Sequence, residues 1–357
     1  MILYPAIFNL LILLRYALMR RGRVRDKVYW VVLALLVVFS AFRFEVGCDW
    51  TGYLNQWQIQ QTSTFVNALT LREPTWWALM HGLQSLGLSY PWINVASTLP
   101  FFIGVHVLAR RQPDPLGFLI LLFPILIINM PMSALRQGVA IGLLCIAFSS
   151  FIDKRLFWFV AWTALASTFH NSAIIFLLLA PLVGGQFSFG RLILAAVLAI
   201  PGGFVLLTGA SAELAVTRYV GTGVDAAGAA ARAGLLLITG VAYFLLVRGK
   251  WRRSFPQDDT LVSVGALMMV GLILIVPVSA VIGDRLGYYL IPIQAMIFAR
   301  LPYLQMSGSR AFFAAAPYVL LVLVLIIWTQ ESSHFKQCFT PYQSWLFGVP
   351  ANVRYLY

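Results

Sequence analysis

Apolar runs near the length of a membrane crossing recur from Met1 to Trp328, separated by short polar breaks. A spanning helix needs roughly 20 residues to cross about 30 Å of hydrocarbon, and backbone within lipid must satisfy its own hydrogen bonds. A chain with many such runs is therefore an all-α, polytopic membrane protein, and a soluble domain on one anchor is excluded. Only 10% of the 357 residues are charged, against about a quarter in a soluble domain. No stretch is left over for a second domain, so residues 1–357 read as a single transmembrane domain. The first run is not expected to be a cleaved leader, because its charges, Arg15 to Lys27, follow the apolar stretch instead of preceding it.

The runs lie near 2–19, 28–44, 92–109, 116–130, 137–152, 156–169, 171–184, 192–209, 233–247, 260–282, 286–300 and 311–328, which makes twelve candidate spans. Lysine and arginine total 25 against 12 acids, a formal charge of +13. In a soluble chain that excess would suggest nucleic acid; here it first reflects retention of basic residues on the cytoplasmic side, and no nucleic-acid partner is expected. Placing the clusters at 20–27, 110–111, 154–155 and 248–253 inside sets both termini outside. The stretch 74–90 has the apolarity of a further span, but counting it would move Arg110 and Arg111 outside. It reads instead as an outer-surface helix that starts at Glu73-Pro74, with Trp76 and Trp77 at headgroup level. The outer polar stretches are then the first loop, 45–91, the loop 210–232 and the tail 329–357. Loop 210–232, with its GTG and AAGAAA runs, reads as a gate over a lipid-facing site or as a simple connector. Eight basic residues face outward against the orientation rule: Arg43, Arg72, Arg136, Arg218, Arg232, Arg285, Lys336 and Arg354. Several sit at span ends, where they can surround one anionic group.

Four breaks carry the groups able to do chemistry. In Arg43-Phe-Glu45-Val-Gly-Cys-Asp49-Trp-Thr-Gly-Tyr53, span 28–44 emerges and hands over to an amphipathic segment. Asp49 or Glu45 there suits a general base, which must lie within hydrogen-bond reach of the proton it takes; Asp49 suits equally an N-cap for the run that follows. Between Asn129 and Gln137, Pro131 ends one helix, Ser133 can cap the next and Arg136 enters its first turn. A guanidinium beside helix N-terminal amides fits a phosphate or diphosphate, and without an anion the helix dipole disfavours it; the other reading is a snorkelling interfacial arginine. In Ser167–Ser172, His170 can donate to a phosphate oxygen, shuttle a proton, or simply pack as a hydrogen-bonded imidazole. In Gly283–Tyr289, Arg285 is a second phosphate clamp or the partner of Asp284, and Tyr288 and Tyr289 are sugar-stacking platforms or aromatic belt. Both of these last breaks are expected to turn at the outer face. Cys48, Cys145 and Cys338 lack paired spacing and four scattered His add no ligand motif, so neither a disulfide framework nor a metal site is expected. Phosphate-loop, zinc and triad signatures are absent, and no cofactor is expected.

Taken in order, RFEVGCDWTGY at 43–53, REP at 72–74, LRQGVAIGL at 135–143, LASTFHNSAIIF at 165–176, DRLGYY at 284–289 and PYQSWLF at 341–347 resemble the EpsG family, which contains Wzy-like exopolysaccharide and O-antigen (lipopolysaccharide) polymerases. The resemblance covers nearly the whole chain, and the order and spacing of the motifs carry more than any one of them. It implies a multi-pass protein of the bacterial inner membrane with its active site facing the periplasm. Such a protein would transfer a growing glycan from undecaprenyl diphosphate to the sugar of an incoming lipid-linked repeat unit, with membrane lipid and a chain-length regulator as further partners. Cys48 stands where the family pattern usually has Thr. The first outer loop also resembles GT-C glycosyltransferases, where an acid after a span is followed by surface helices and a span ending in basic residues; here these are Asp49, the segments near 50–60 and 74–90, and Arg110-Arg111.

On that reading Arg136, Arg285 and Arg43 hold the diphosphate, Asp49, Glu45 and His170 are the catalytic candidates, and Tyr53, Glu73, Gln137, Tyr288 and Tyr289 contact sugar. Asp49 is the preferred base, since Arg43 neutralises Glu45 and Glu73 is occupied at a helix start. The competing enzyme readings are a glycosyltransferase adding one residue from a lipid-phosphate sugar, and a glycan ligase. The non-enzymatic one is a lipid-linked oligosaccharide flippase, which should carry its charges in a midplane cavity, whereas charges here cluster near span ends.

Overall fold

The computed structural model describes residues 2–19, 21–185, 189–191, 193, 228–306 and 308–348, and among these every regular element is helical. In chain order they are α1 (Leu3–Ala17), α2 (Gly22–Ala41), α3 (Trp50–Gln60), α4 (Phe65–Thr70), α5 (Pro74–Ser85), α6 (Trp92–Ala109), α7 (Pro115–Leu122) with a π turn over Phe123–Ile127, α8 (Leu135–Ile152), α9 (Leu156–Phe169) and a 3-10 helix over Asn171–Leu182. Then follow α10 (Ala229–Ala242), continued by a π turn to α11 (Arg248–Ser254), α12 (Asp259–Ile275), α13 (Ala280–Arg300), α14 (Arg310–Glu331) and α15 (Ser333–Phe339). The candidate span 192–209, most of loop 210–232, Arg218, Arg354 and the end of the tail lie outside the described residues.

Four of the described helices are long and apolar enough to cross a bilayer: Trp92–Ala109, Leu135–Ile152, Ala229–Ser254 and Arg310–Glu331. Leu3–Ala17, Pro115–Ile127, Leu156–Phe169, Asn171–Leu182 and Asp259–Ile275 are apolar but shorter. The 3-10 winding of Asn171–Leu182 matters for reach, because 12 residues at about 2.0 Å each extend about 24 Å, against about 18 Å as α-helix. Helix α5 has 12 residues, about 18 Å, comparable to the shorter apolar helices.

The chain forms two compact units. The first contains Met1–Cys145, Ala164–Ala173 and Ala315–Tyr357. In it α2 packs on α6 and α7, and α1 on α7. Asp114 starts α7, accepting the Gly117 amide at 3.0 Å, and takes the Arg15 Nε at 2.7 Å. An arginine buried on apolar α1 thus has a carboxylate partner, which a lone buried charge needs. Gly142 of α8 meets the backbone of Pro100 and Phe101 on α6, and Gly104 meets the Gly142 carbonyl, so a Cβ at either would force apart two backbones that touch there. The described part of 329–348 is anchored on α1: Tyr4 lies edge-on to Phe335, Phe339 and Tyr342 and donates to the Phe339 carbonyl at 3.0 Å.

The second unit contains Ile146–Thr163 and Ile174–Ala314, and in it α10, α12 and α13 pack on one another in pairs. Its Gly283–Tyr289 motif does not form the expected turn. The break falls at 276–279, where Pro277 lies and the Ser279 hydroxyl caps α13 by accepting the Ile282 amide at 3.3 Å, so the motif runs inside the first turns of that helix. Polar residues are tolerated there because Arg232 of α10 grips Asp284 with two parallel bonds of 2.7 and 2.9 Å.

Candidate functional site

Asp49 is held by a loop that two distant segments build. Phe44 donates its amide to the Gln343 carbonyl at 2.9 Å, Gly47 to the Cys338 carbonyl at 2.6 Å, and Trp345 to the Phe42 carbonyl at 2.9 Å. A disulfide joins Cys48 to Cys338, 290 residues apart. The sequence reading excluded such a pairing on spacing, but spacing reports only local frameworks, and here a chain reversal brings the two together. The loop is also pinned from beneath: Arg43, 1% exposed, donates through Nε to the Met132 carbonyl at 2.7 Å, and Gly47, at φ +103°, lies against the same carbonyl with no space for a side chain. Both anchors land just before the helix that carries Arg136.

Asp49 occupies the N-cap position of α3, yet its side chain makes no capping bond and it is exposed. One helical turn on, Tyr53 is buried under the Arg136 guanidinium, 5.8 Å from ring centre to Cζ. Burial, reinforced by the negative charge of Asp49, pushes the Tyr53 phenol up to about 12. The Arg136 amide, in the first turn of α8, stands 3.5 Å from the Tyr53 hydroxyl.

Glu73 completes the group. Its backbone is left-handed, φ 65° and ψ 59°, and it precedes Pro74, the first residue of α5. The side chain makes no cap bond; one carboxylate oxygen accepts from Arg136 Nη1 at 2.6 Å and the other from the Asn171 amide at 3.0 Å. Oriented to satisfy its neighbours, the Asn171 side chain donates to the Ser167 carbonyl at 3.2 Å and its oxygen accepts from Arg72. His170 shares a 2.7 Å bond with the Ser172 hydroxyl. Tyr53, Arg72, Glu73, Arg136 and the His170–Ser172 turn therefore form one cluster, built where α3, α5, α8 and α9 each begin or end. The Arg136 guanidinium remains about one-third exposed, with 32% of its side-chain surface accessible against 9% for Glu73, and its Nε has no hydrogen-bond partner.

Other candidates fall elsewhere. Arg43 and Gln137 are buried, the first beneath the Asp49 loop. Glu45 is exposed and takes a positive φ of 52° at the bend between Phe44 and Gly47. In the second unit Arg285 is half-buried on α13, and Asp284 is engaged by Arg232. Tyr288 lies under the Arg232 guanidinium and Tyr289 packs on Phe176, both buried. Sequence reasoning left Arg72 and Asn171 out of the site. The signal was available in the neighbouring REP and FHNS motifs, but which partners they find is a tertiary matter. The Cys48, His334 and Cys338 side chains lie within 4.8 Å of one another; with both sulfurs tied in the disulfide, no thiolate is offered to a metal.

No curated protein and no solved structure matches the chain. The EpsG family model matches residues 26–344. Every motif brought into the Asp49 loop and the Glu73–Arg136 cluster falls in that range except the last residues of 341–347, and with nearly its whole length matched the chain belongs to the EpsG family of Wzy-like polysaccharide polymerases.

Proposed function

We propose that the chain transfers a growing glycan from undecaprenyl diphosphate to the sugar of an incoming lipid-linked repeat unit, on the outer face of the bacterial inner membrane. The observation that carries this reading is the Arg136–Glu73–Tyr53 cluster beside Asp49: a partly exposed guanidinium at a helix start, oriented by a carboxylate, next to an exposed acid on a clamped loop. In the reaction an acceptor hydroxyl oxygen forms a bond to the anomeric carbon, the bond from that carbon to the diphosphate oxygen breaks, and the leaving oxygen keeps the electron pair. Arg136 and Arg72 meet the charge that develops on the diphosphate. Asp49 takes the acceptor proton. Glu73 fixes the Arg136 guanidinium, and Tyr53 supports it from below.

The reading puts both termini and residues 45–91 outside with twelve spans. The Cys48–Cys338 disulfide supports an oxidising compartment for that face.

The test is to incubate purified protein with one defined lipid-linked repeat. A ladder of products is expected from the native chain. Arg136→Lys, which keeps the charge but loses the fork, should abolish most of it without loss of folded protein. A product extended by a single unit would favour a one-step transferase or ligase, movement of the lipid across the bilayer with no new glycosidic bond would favour a flippase, and a normal ladder from the Lys variant would remove Arg136 from the donor site.

A further inference from the structure

The last turn of α3, the body of α5 and the connections after each enclose a cleft of about 480 Å³. Trp57, Gln60, Gln61, His81, Gln84 and Ser85 line it. We propose that this cleft is a binding subsite for uncharged sugar residues of the glycan, at a distance from the bond being made. The inference rests on the polymerase reading above for the source of its ligand.

The chemistry of the lining selects the ligand class. Apart from the imidazole of His81 and the apolar side chain of Leu88, the wall carries amides, the hydroxyls of Ser63 and Ser85 and an indole, with no arginine, lysine or carboxylate. Amides offer a donor and an acceptor on one group, which is what a sugar hydroxyl, itself both, requires. A lipid phosphate would call for basic residues, and a bare apolar partner would gain nothing from three glutamines. Gln60 makes the case specific. It is 1% exposed, and both its amide nitrogen and its amide oxygen are buried without a hydrogen-bond partner. A buried amide left unmet on both atoms is costly, and turning the side chain into the cleft it lines lets a ligand hydroxyl supply what is missing. Its neighbours are held ready: Gln84 donates to the Trp57 carbonyl at 2.7 Å, which orients its side chain, and His81 rests on the Phe65 ring at 5.6 Å.

Position makes this a subsite and not the reaction centre. Tyr53, Trp57 and Gln60 are all buried and recur at helical spacing on α3, so Gln60 lies about 10 Å along the helix from the tyrosine under Arg136. On α5, Gln84 lies about 16 Å along the helix axis from the Glu73 end. Two helices thus lead from the ion pair to the cleft, and a glycan engaged at the first could lay later residues in the second. Holding those residues would retain the product between additions and lengthen it.

The experiment uses the full chain in lipid nanodiscs and two kinds of probe: its own polymer freed from lipid by mild acid, and a set of neutral oligosaccharides of glucose, galactose, mannose, rhamnose and N-acetylhexosamines. Saturable binding of at least one probe is expected. Gln61→Ala with His81→Ala should weaken it by about tenfold, as loss of two hydrogen-bonding partners implies, and Ser85→Trp, which fills the cleft from an exposed position, should block it. In the ladder assay the same variants should make shorter products while forming the first linkage at the native rate. Absence of binding by every probe, or equal binding by native and filled cleft, overturns the subsite even if the native chain polymerises. Binding that the variants abolish, from a protein that forms no glycosidic bond, leaves the subsite standing and removes the polymerase.

Discussion

Glu73 stands in the left-handed region, which a residue with a Cβ occupies at a cost of about 1–3 kcal/mol when surrounding structure imposes it. Its two carboxylate bonds, to Arg136 and to the Asn171 amide, are what the conformation secures. Glu73→Gln keeps the shape and removes the charge, so turnover should fall by about ten- to a hundredfold, the worth of a charge-assisted bond, with little change in melting temperature. Unchanged turnover would reduce the residue to a helix start, the role its sequence context suggested. Tyr53 yields a pH prediction. Its folded pKa of about 12 exceeds the ordinary 10.0, so its contribution to stability is full below pH 10 and lost only as pH rises through about 12. Any alkaline loss of activity below pH 10 must come from another group, and Tyr53→Phe should leave that limb of the profile where it is. A limb that moves with the substitution would place the titrating proton on Tyr53. The residue types at this site were legible in the sequence, Asp49, Tyr53, Glu73, Arg136 and His170 among them; the pairing of Glu73 with Arg136, 63 residues apart, was not, because no local pattern encodes it.

At the scale of elements, the apolar runs 92–109, 137–152 and 156–169 overlap α6, α8 and α9, whereas the break within 260–300 is misplaced, since a Gly-Asp-Arg run looks like a turn until Arg232 arrives from another helix to neutralise Asp284. The loop 42–49 has the opposite history. Nothing in its own sequence demands the shape it takes; that shape comes from the segment 338–345 and from the Met132 carbonyl. Gly47 is where these constraints meet, and Gly47→Ala would drive a Cβ into that carbonyl at a φ of +103°. A loss of about 1–3 kcal/mol is expected from such overpacking, and activity should fall with it because Asp49 is two residues away. Gly52→Ala, in the next helix with open space around it, is the matched control and should raise the melting temperature slightly, since Ala is the better helix former, while leaving product length unchanged. Equal behaviour of the two variants would show that the Gly47 contact does not set the loop.

For the molecule as a whole, the apolar recurrence implies membrane embedding and supplies the twelve candidate spans, while their direction rests on the placement of the basic clusters, which speaks to sides and says nothing of contacts. The disulfide ties residue 48, which the charge reading puts outside, to residue 338, so the sides can be tested at both positions together. If both lie in an oxidising compartment, intact cells treated with a membrane-impermeant maleimide should show no labelling until an impermeant reductant is added, and then labelling at both Cys48 and Cys338. Cys145, buried on α8, should remain unlabelled throughout and serve as the internal control. Cys48→Ser should expose Cys338 to the reagent without reduction, and Cys338→Ser should do the same for Cys48. Labelling of the reduced chain only after the bilayer is permeabilised would put this face in the cytoplasm and reverse every assignment of sides, whereas labelling of native cells without reductant would break the disulfide assignment and keep the topology. The two inferences are thus separable, and the acceptor-activating role of Asp49, one residue from Cys48, depends on the first.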